Sequence, residues 1–129
     1  MRVVRLAVIA GLTALCLCTA AQAQQPIKAG DILLGTLRLV HTRHPNGTKI
    51  EAYQVVSAPR AMPVNDEFCD TAKGATTFHL FAMDEVARKR LKPHVGKTIT
   101  VKATALFCSQ TAWHIGDVAV PEWSLAGKH

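Results

Sequence analysis

The segment "KTITVKATALF" (97–107) carries the clearest alternation in this chain. Ile99, Val101, Ala103, Ala105 and Phe107 fall on one side, and Thr98, Thr100, Lys102 and Thr104 on the other. A period of two sustained over such a length specifies a strand with one face against a core and one face against solvent. A chain committed to such a strand needs sheet partners, and the rest of the sequence supplies them.

Upstream, "DILLGTLRLVHT" (31–42) reads as a first strand with Leu33, Leu37 and Leu39 on one face. Gly35 shares that face and marks a bend or a close backbone approach. "RHPNGT" (43–48) contains Pro45 and Asn46-Gly47, a hairpin turn signal, and "KIEAYQVV" (49–56) returns as the second strand. The stretch 57–75 is a long connection containing Cys69, and a loop of that length requires a function or a tether. "TTFHLFAM" (76–83) is a short third strand. "DEVARKRLKP" (84–93) is punctuated as a helix: Asp84 caps it, Glu85 lies in its first turn, Arg88, Lys89, Arg90 and Lys92 crowd its end, and Pro93 stops it. Val86, Ala87 and Leu91 are its expected inward residues. The last strand is expected over "WHIGDVAV" (113–120), ended by Pro121. The order β-β-β-α-β-β predicts a mainly β fold: a small five-stranded, OB-like Greek-key barrel with one short helix. An SH3-like barrel fits the helix position less well, and a β-sandwich would need more strands.

The first segment reads differently. Arg2 and Arg5 precede an apolar run from Leu6 to about Ala20, and Ala21-Gln22-Ala23 forms a small-x-small cleavage site. This is the pattern of a secretory signal peptide over residues 1–23, with residues 24–129 left as a single OB-like domain. The apolar run is shorter than the roughly 20 residues a spanning helix needs, so no stable membrane insertion is expected after cleavage. Leu15 and Leu17 stand before Cys16 and Cys18, where lipidation would want a small residue. The expectation is a soluble, monomeric protein of the bacterial periplasm.

Cleavage removes two of the four cysteines, leaving Cys69 and Cys108. Two cysteines in an oxidising compartment most simply form one disulfide, and closing a loop of about 40 residues is worth about 4 kcal/mol in the chain-entropy model. Neither has a second cysteine at zinc or redox spacing. The formal charge of +6 falls by two with Arg2 and Arg5. That surplus mildly favours anionic envelope partners. The run "RKRLK" is explained by its place at a helix end, where cations complement the dipole, so no nucleic-acid partner is read from it.

The stretch "GKTITVKATALFCSQTAWHIGDVAV" resembles a family of small exported bacterial proteins classed as a domain of unknown function. That family ends in a pattern near G-K-x-V-x-V-x-G-x-L-F-x-A-x-T-G-H-H-H-T before an apolar strand. Gly96, Lys97, Val101, Leu106, Phe107 and Thr111 match it; Ala112-Trp113-His114-Ile115 stands where the family has its histidine run, and Ala103 where it has glycine. The resemblance implies export and no particular activity. By architecture, the chain is also similar to small periplasmic OB-fold stress proteins.

In an OB-fold, the loops between strands 1 and 2 and between strands 4 and 5 flank the ligand face. Here these are 41–48 and 108–114, and they bring His41, Arg43, His44, Trp113 and His114 forward as binding residues. Trp113 suits stacking on a ring and Arg43 suits an anion. Convergence of His41, His44 and His114 on zinc or copper is a further possibility, although their spacing matches no metal motif. For nucleophilic catalysis, Cys108 is committed to the disulfide, and Ser109 near His114 has no acid beside it and no G-x-S-x-G elbow. The expected function is therefore non-catalytic binding of an envelope ligand or protein, without cofactor. An inhibitor or immunity protein against an envelope-targeting enzyme, and a metal-binding protein, are the alternatives.

Overall fold

The computed structural model describes residues 25–62, 67–70 and 72–127, together with Gly11. The leader assignment for 1–23 lies outside these residues, Gly11 apart. Among the described residues, no helix is long and apolar enough to cross a membrane.

Leu33 and Leu37 of β1 (Ile32–Arg43) are fully buried and Leu39 packs against the same core, so the leucine stripe is the inner face of a strand. That strand serves two partners. Residues 32–36 pair antiparallel with β4 (Thr98–Cys108), and residues 36–43 pair antiparallel with β2 (Lys49–Arg60). Gly35 sits at the changeover, where a Cβ would lie against the Val56 carbonyl oxygen, 2.7 Å from Val55 Cγ1 and 2.8 Å from the Val56 carbonyl carbon. Absence of a side chain there lets the strand curl from one neighbour to the other.

β3 (Ala75–Leu80) pairs with β2, and β5 (Val118–Ala126) lies parallel to β3 and antiparallel to β4. The sheet closes in the order β1-β2-β3-β5-β4, which is the topology of a five-stranded OB-like barrel. α1 (Glu85–Leu91) and a 3₁₀ turn (Lys92–His94) bridge β3 and β4. Asp84 caps α1 by accepting from the Ala87 amide at 2.8 Å, and Leu91 is buried in the core. Val86, expected inward, is 60% exposed: a helix of two turns turns only one narrow stripe inward, and Leu91 occupies it. Ile27, in the lead before β1, is fully buried and donates its amide to Ala61 O at 3.0 Å.

The Cys69–Cys108 disulfide is present, with Cα atoms 5.3 Å apart. It ties the connection after β2 to the last residue of β4.

Two expectations about the C-terminal part are corrected. The last strand does not span 113–120; it starts at Val118 and continues through Pro121 to Ala126. Beyond Val120 it has no partner on the β3 side, and the ladder to β4 shifts register between Ala105 and Phe107, so no ladder bond is asked of the proline. The second correction concerns Phe107. A further shift between Ala103 and Ala105 flips the inward parity of β4. Ile99, Val101 and Ala103 face the core, but then Leu106 and Cys108 do, and Phe107 turns outward.

Gly35→Ala is expected to destabilise the barrel by about 2–3 kcal/mol, because the clashing atoms are backbone and cannot swing aside. Urea unfolding checks this, with Gly47→Ala as comparison; that turn glycine has open space around it and a positive φ of 90°, so strain alone is its cost.

Candidate functional site

The loop from Ser109 to Asp117 folds back over the outer face of β2 and β3. At its base, the Ser109 amide donates to Asp117 O at 3.0 Å and the Ser109 hydroxyl donates to Gly116 O. The Asp117 carboxylate accepts from the Thr76 and Thr77 amides at 3.0 and 3.2 Å, fixing the start of β5 to β3.

The returning limb of the loop is held at one residue, Ile115. The Ile115 amide donates to His79 Nδ1 at 3.0 Å, and Ile115 O accepts from Gln54 Nε2 at 2.6 Å. Gln54 and His79 are directly opposite in the β2–β3 register, so a single cross-strand pair grips both polar groups of one residue. Gln54 is only 3% exposed, and its other polar atom, Oε1, accepts from Arg38 Nε at 2.6 Å. Gly116 adopts a φ of 150°, and a Cβ there would come within 3.1 Å of Thr77 O and 3.2 Å of Gln54 Nε2. Only glycine lets the loop lie this close.

The tip of the loop is ordered from within. His114 Nδ1 accepts from the amides of Gln110 and Thr111 at 2.9 and 3.3 Å, and Trp113 N donates to Thr111 Oγ1 at 3.2 Å. His114 packs edge-on to Phe107, with centroids 5.1 Å apart, and tilts over Phe81 at 5.9 Å. Phe107 contributes to this cluster because the β4 shift turned it outward. Trp113 stacks on His44 of the β1–β2 turn, with centroids 3.8 Å apart and planes 20° from parallel. The His44 ring is held in turn by its Nδ1 accepting from the Asn46 amide at 3.1 Å.

Beneath this loop lies a cleft of about 510 Å³. The start of β2 provides Ile50, Glu51 and Tyr53; the end of β3 and the chain beyond it provide His79 to Met83; Arg88 comes from α1, and Trp113 and His114 from the loop. Its volume falls in the range of ligand sites, and its walls are mainly apolar and aromatic. Trp113 is 45% exposed and Met83 84% exposed at the rim. Burial pushes the His79 imidazole well below its ordinary value of 6.5, to about 4, and the neighbouring His114 adds to the effect.

The five residues expected to bind from sequence separate into groups. Trp113 and His114 line the cleft, though they lie in the loop and not at the start of a strand. His44 supports Trp113 from behind. His41 and Arg43 do not line the cleft: His41 faces Glu51 across the hairpin at 3.4 Å, Arg43 donates to Gly47 O at 3.1 Å, and both line an adjoining shallow surface that shares Ile50 and Glu51 with the cleft. His41, His44 and His114 do not converge, and no group of three or more His, Cys, Asp or Glu placed to hold a metal occurs among the described residues. Gln54, His79, Phe81 and Arg88 were not legible as site residues. The only available signal was a polar residue, Gln54 or His79, in the middle of an otherwise apolar strand.

No family model, no curated protein and no solved structure matches this chain.

The His79 bond predicts an acid-sensitive loop. Protonated Nδ1 cannot accept from Ile115, and between pH 6.5 and about 4 the unfolded chain binds a proton that the folded chain refuses. Stability is therefore complete above pH 6.5 and falls as pH drops through this window. Discounted for partial solvent access, the loss is about 1–2 kcal/mol. Urea midpoints at pH 7.5 and 4.5 check this: the natural chain should lose more stability than His79→Gln, which cannot titrate.

Proposed function

We propose that this protein is an exported, non-catalytic binding module whose ligand or partner occupies the cleft between β2, the end of β3, α1 and the 109–117 loop. The observation that carries this reading is the preformed state of the cleft. Trp113 is stacked on His44, His114 is held by two amides, and the loop bearing both is clamped through Ile115, so the chain's own contacts fix these walls. Preorganisation of this kind reduces the entropic cost of binding. The cleft also lies on the face, and between the loops, that OB-like barrels use for ligands.

The residues one would first suspect of nucleophilic chemistry have structural duties. Cys108 is in the disulfide, the Ser109 hydroxyl donates to a backbone carbonyl, and the Nδ1 lone pairs of His44, His79 and His114 all accept from amides. Export is supported by the signal-like pattern of residues 1–23, by a disulfide suited to an oxidising envelope compartment, and by the resemblance of 96–111 to a family of small exported bacterial proteins. Met83 at the cleft and Val86 on the surface that adjoins it through Met83 are both exposed, which favours a protein partner, as an inhibitor or immunity protein would have, over a small solute.

The test is capture from an envelope extract on the immobilised, disulfide-intact protein, with Trp113→Ala alongside. Trp113→Ala removes a half-exposed ring and its stack on His44, so it is expected to lower the melting temperature by about 5 °C or less, while cutting recovery of the captured species by tenfold or more, as for an interface anchor. Equal recovery by both proteins would remove the cleft from the function.

A further inference from the structure

The ladder between β2 and β3 stops at Tyr53 and Leu80, whereas β2 begins four positions earlier at Lys49 and is paired to β1 over 49–56. After Leu80 the chain turns from β2: the Phe81 amide donates to Val120 O at 3.1 Å, and Ala82 O accepts from the Arg88 guanidinium at 3.1 Å. The start of β2 is thus open on the side away from β1.

The direction of its backbone groups follows from the hairpin. His44 N donates to Thr48 O at 2.8 Å, which turns the backbone groups of the even-numbered residues 48, 50 and 52 toward β1. The alternation of an antiparallel ladder then directs the N–H and C=O of Lys49 and Glu51 the other way, toward the open side. The cleft lies on that side, with Ile50, Glu51 and Tyr53 on one wall and Phe81, Ala82 and Met83 on the other.

Resting on the binding reading above, we propose that the occupant is an extended peptide segment of a partner protein, which adds as a strand to β2 at Glu51. Its backbone would exchange hydrogen bonds with Glu51, and alternate apolar side chains would fall against Phe81, Met83 and Trp113. A small apolar ligand would use the walls but would leave the Glu51 backbone groups to water. Charge sets the flanks of the segment. Glu51 and Arg88 each have a partner within the chain, His41 at 3.4 Å and Glu85 at 3.5 Å, which leaves the exposed Lys89 and Arg90 as the cations that α1 offers. Acidic residues flanking an apolar strand match this rim.

The probe is the peptide acetyl-Glu-Val-Thr-Phe-Thr-Val-Glu-amide, titrated into the disulfide-intact protein by calorimetry. Two further versions carry backbone N-methyl groups, one at even and one at odd positions. Binding of the parent is expected, with at least a tenfold loss for one methylated version and less than threefold for the other, because only one edge of the added strand faces Glu51. Protection of the Glu51 amide from hydrogen exchange should accompany binding. Glu51→Pro, which removes the open-edge N–H without removing a bond to β1, should weaken the parent tenfold or more; if that variant does not fold, the methylated pair still decides. Equal binding by all three peptides would overturn strand addition while leaving the cleft as a binding site. No binding by the parent, or dimerisation of the protein through β2 edges without peptide, would overturn the peptide assignment, and the Trp113-dependent capture above would separately decide the binding reading.

Discussion

The Ile115 peptide, held at its N–H by His79 and at its C=O by Gln54, is the contact on which the site depends. A loop crossing an outer sheet face has few ways to bury its polar groups, and unsatisfied ones would cost about 1–3 kcal/mol each. Here both are satisfied by one cross-strand pair, and the same pair anchors the loop two residues before its end at Asp117. Everything that gives the cleft its chemistry hangs from that anchor: the fold of the tip around His114, the reach of Trp113 to His44, and the approach permitted by Gly116. Arg38 extends the chain of bonds through Gln54 into β1, so the anchor is continuous with three strands of the barrel.

The barrel builds this arrangement with a small departure from regularity. Had β4 kept the period it shows at its start, Phe107 would be inside and Cys108 outside. The register shift exchanges them. Cys108 becomes a buried end to the strand, available to Cys69, and Phe107 becomes the ring on which His114 packs. One irregularity thus serves the staple and the aromatic wall together. Bulges that re-aim side chains beside functional sites have this effect generally.

Much of the fold was legible because local signals were strong where they occurred. The leucine stripe of β1, the Asn46-Gly47 turn, the punctuation of α1 and the pairing of Cys69 with Cys108 each correspond to an element or bond in the structure. The failures share a physical cause: they depend on partners distant in sequence. Pro121 reads as a stop, yet it lies where the strand lacks a neighbour on one side and shifts against the other. Alternation through Ala105 and Phe107 is real in the sequence but is broken by pairing with β5, which local pattern cannot report. Trp113 and His114 stood out by chemistry and line the cleft, whereas His41 and Arg43 shared a loop with His44 but line only the shallow surface adjoining it. Gln54 and His79 were hidden because a polar residue in a strand is normally solvent-facing, and only the returning loop covers them.

Closure of a five-stranded barrel removes nearly every strand edge, which protects a small β protein from pairing with other chains. The unequal lengths of β2 and β3, 12 residues against 6, leave a short opening at the point where the apolar cleft begins. A longer β3 would have covered Glu51 and filled the cleft with its own chain. Instead the chain leaves β2 after Leu80, and Phe81, Ala82 and Met83 retreat to form the opposite wall. The opening is short, so it offers little to indiscriminate aggregation, and Lys49 at its outer end adds a charge of the kind that guards strand edges. An edge both guarded and lined with exposed apolar side chains is costly to keep unless something occupies it. That combination, more than the presence of a cavity, gives the start of β2 its claim to a partner.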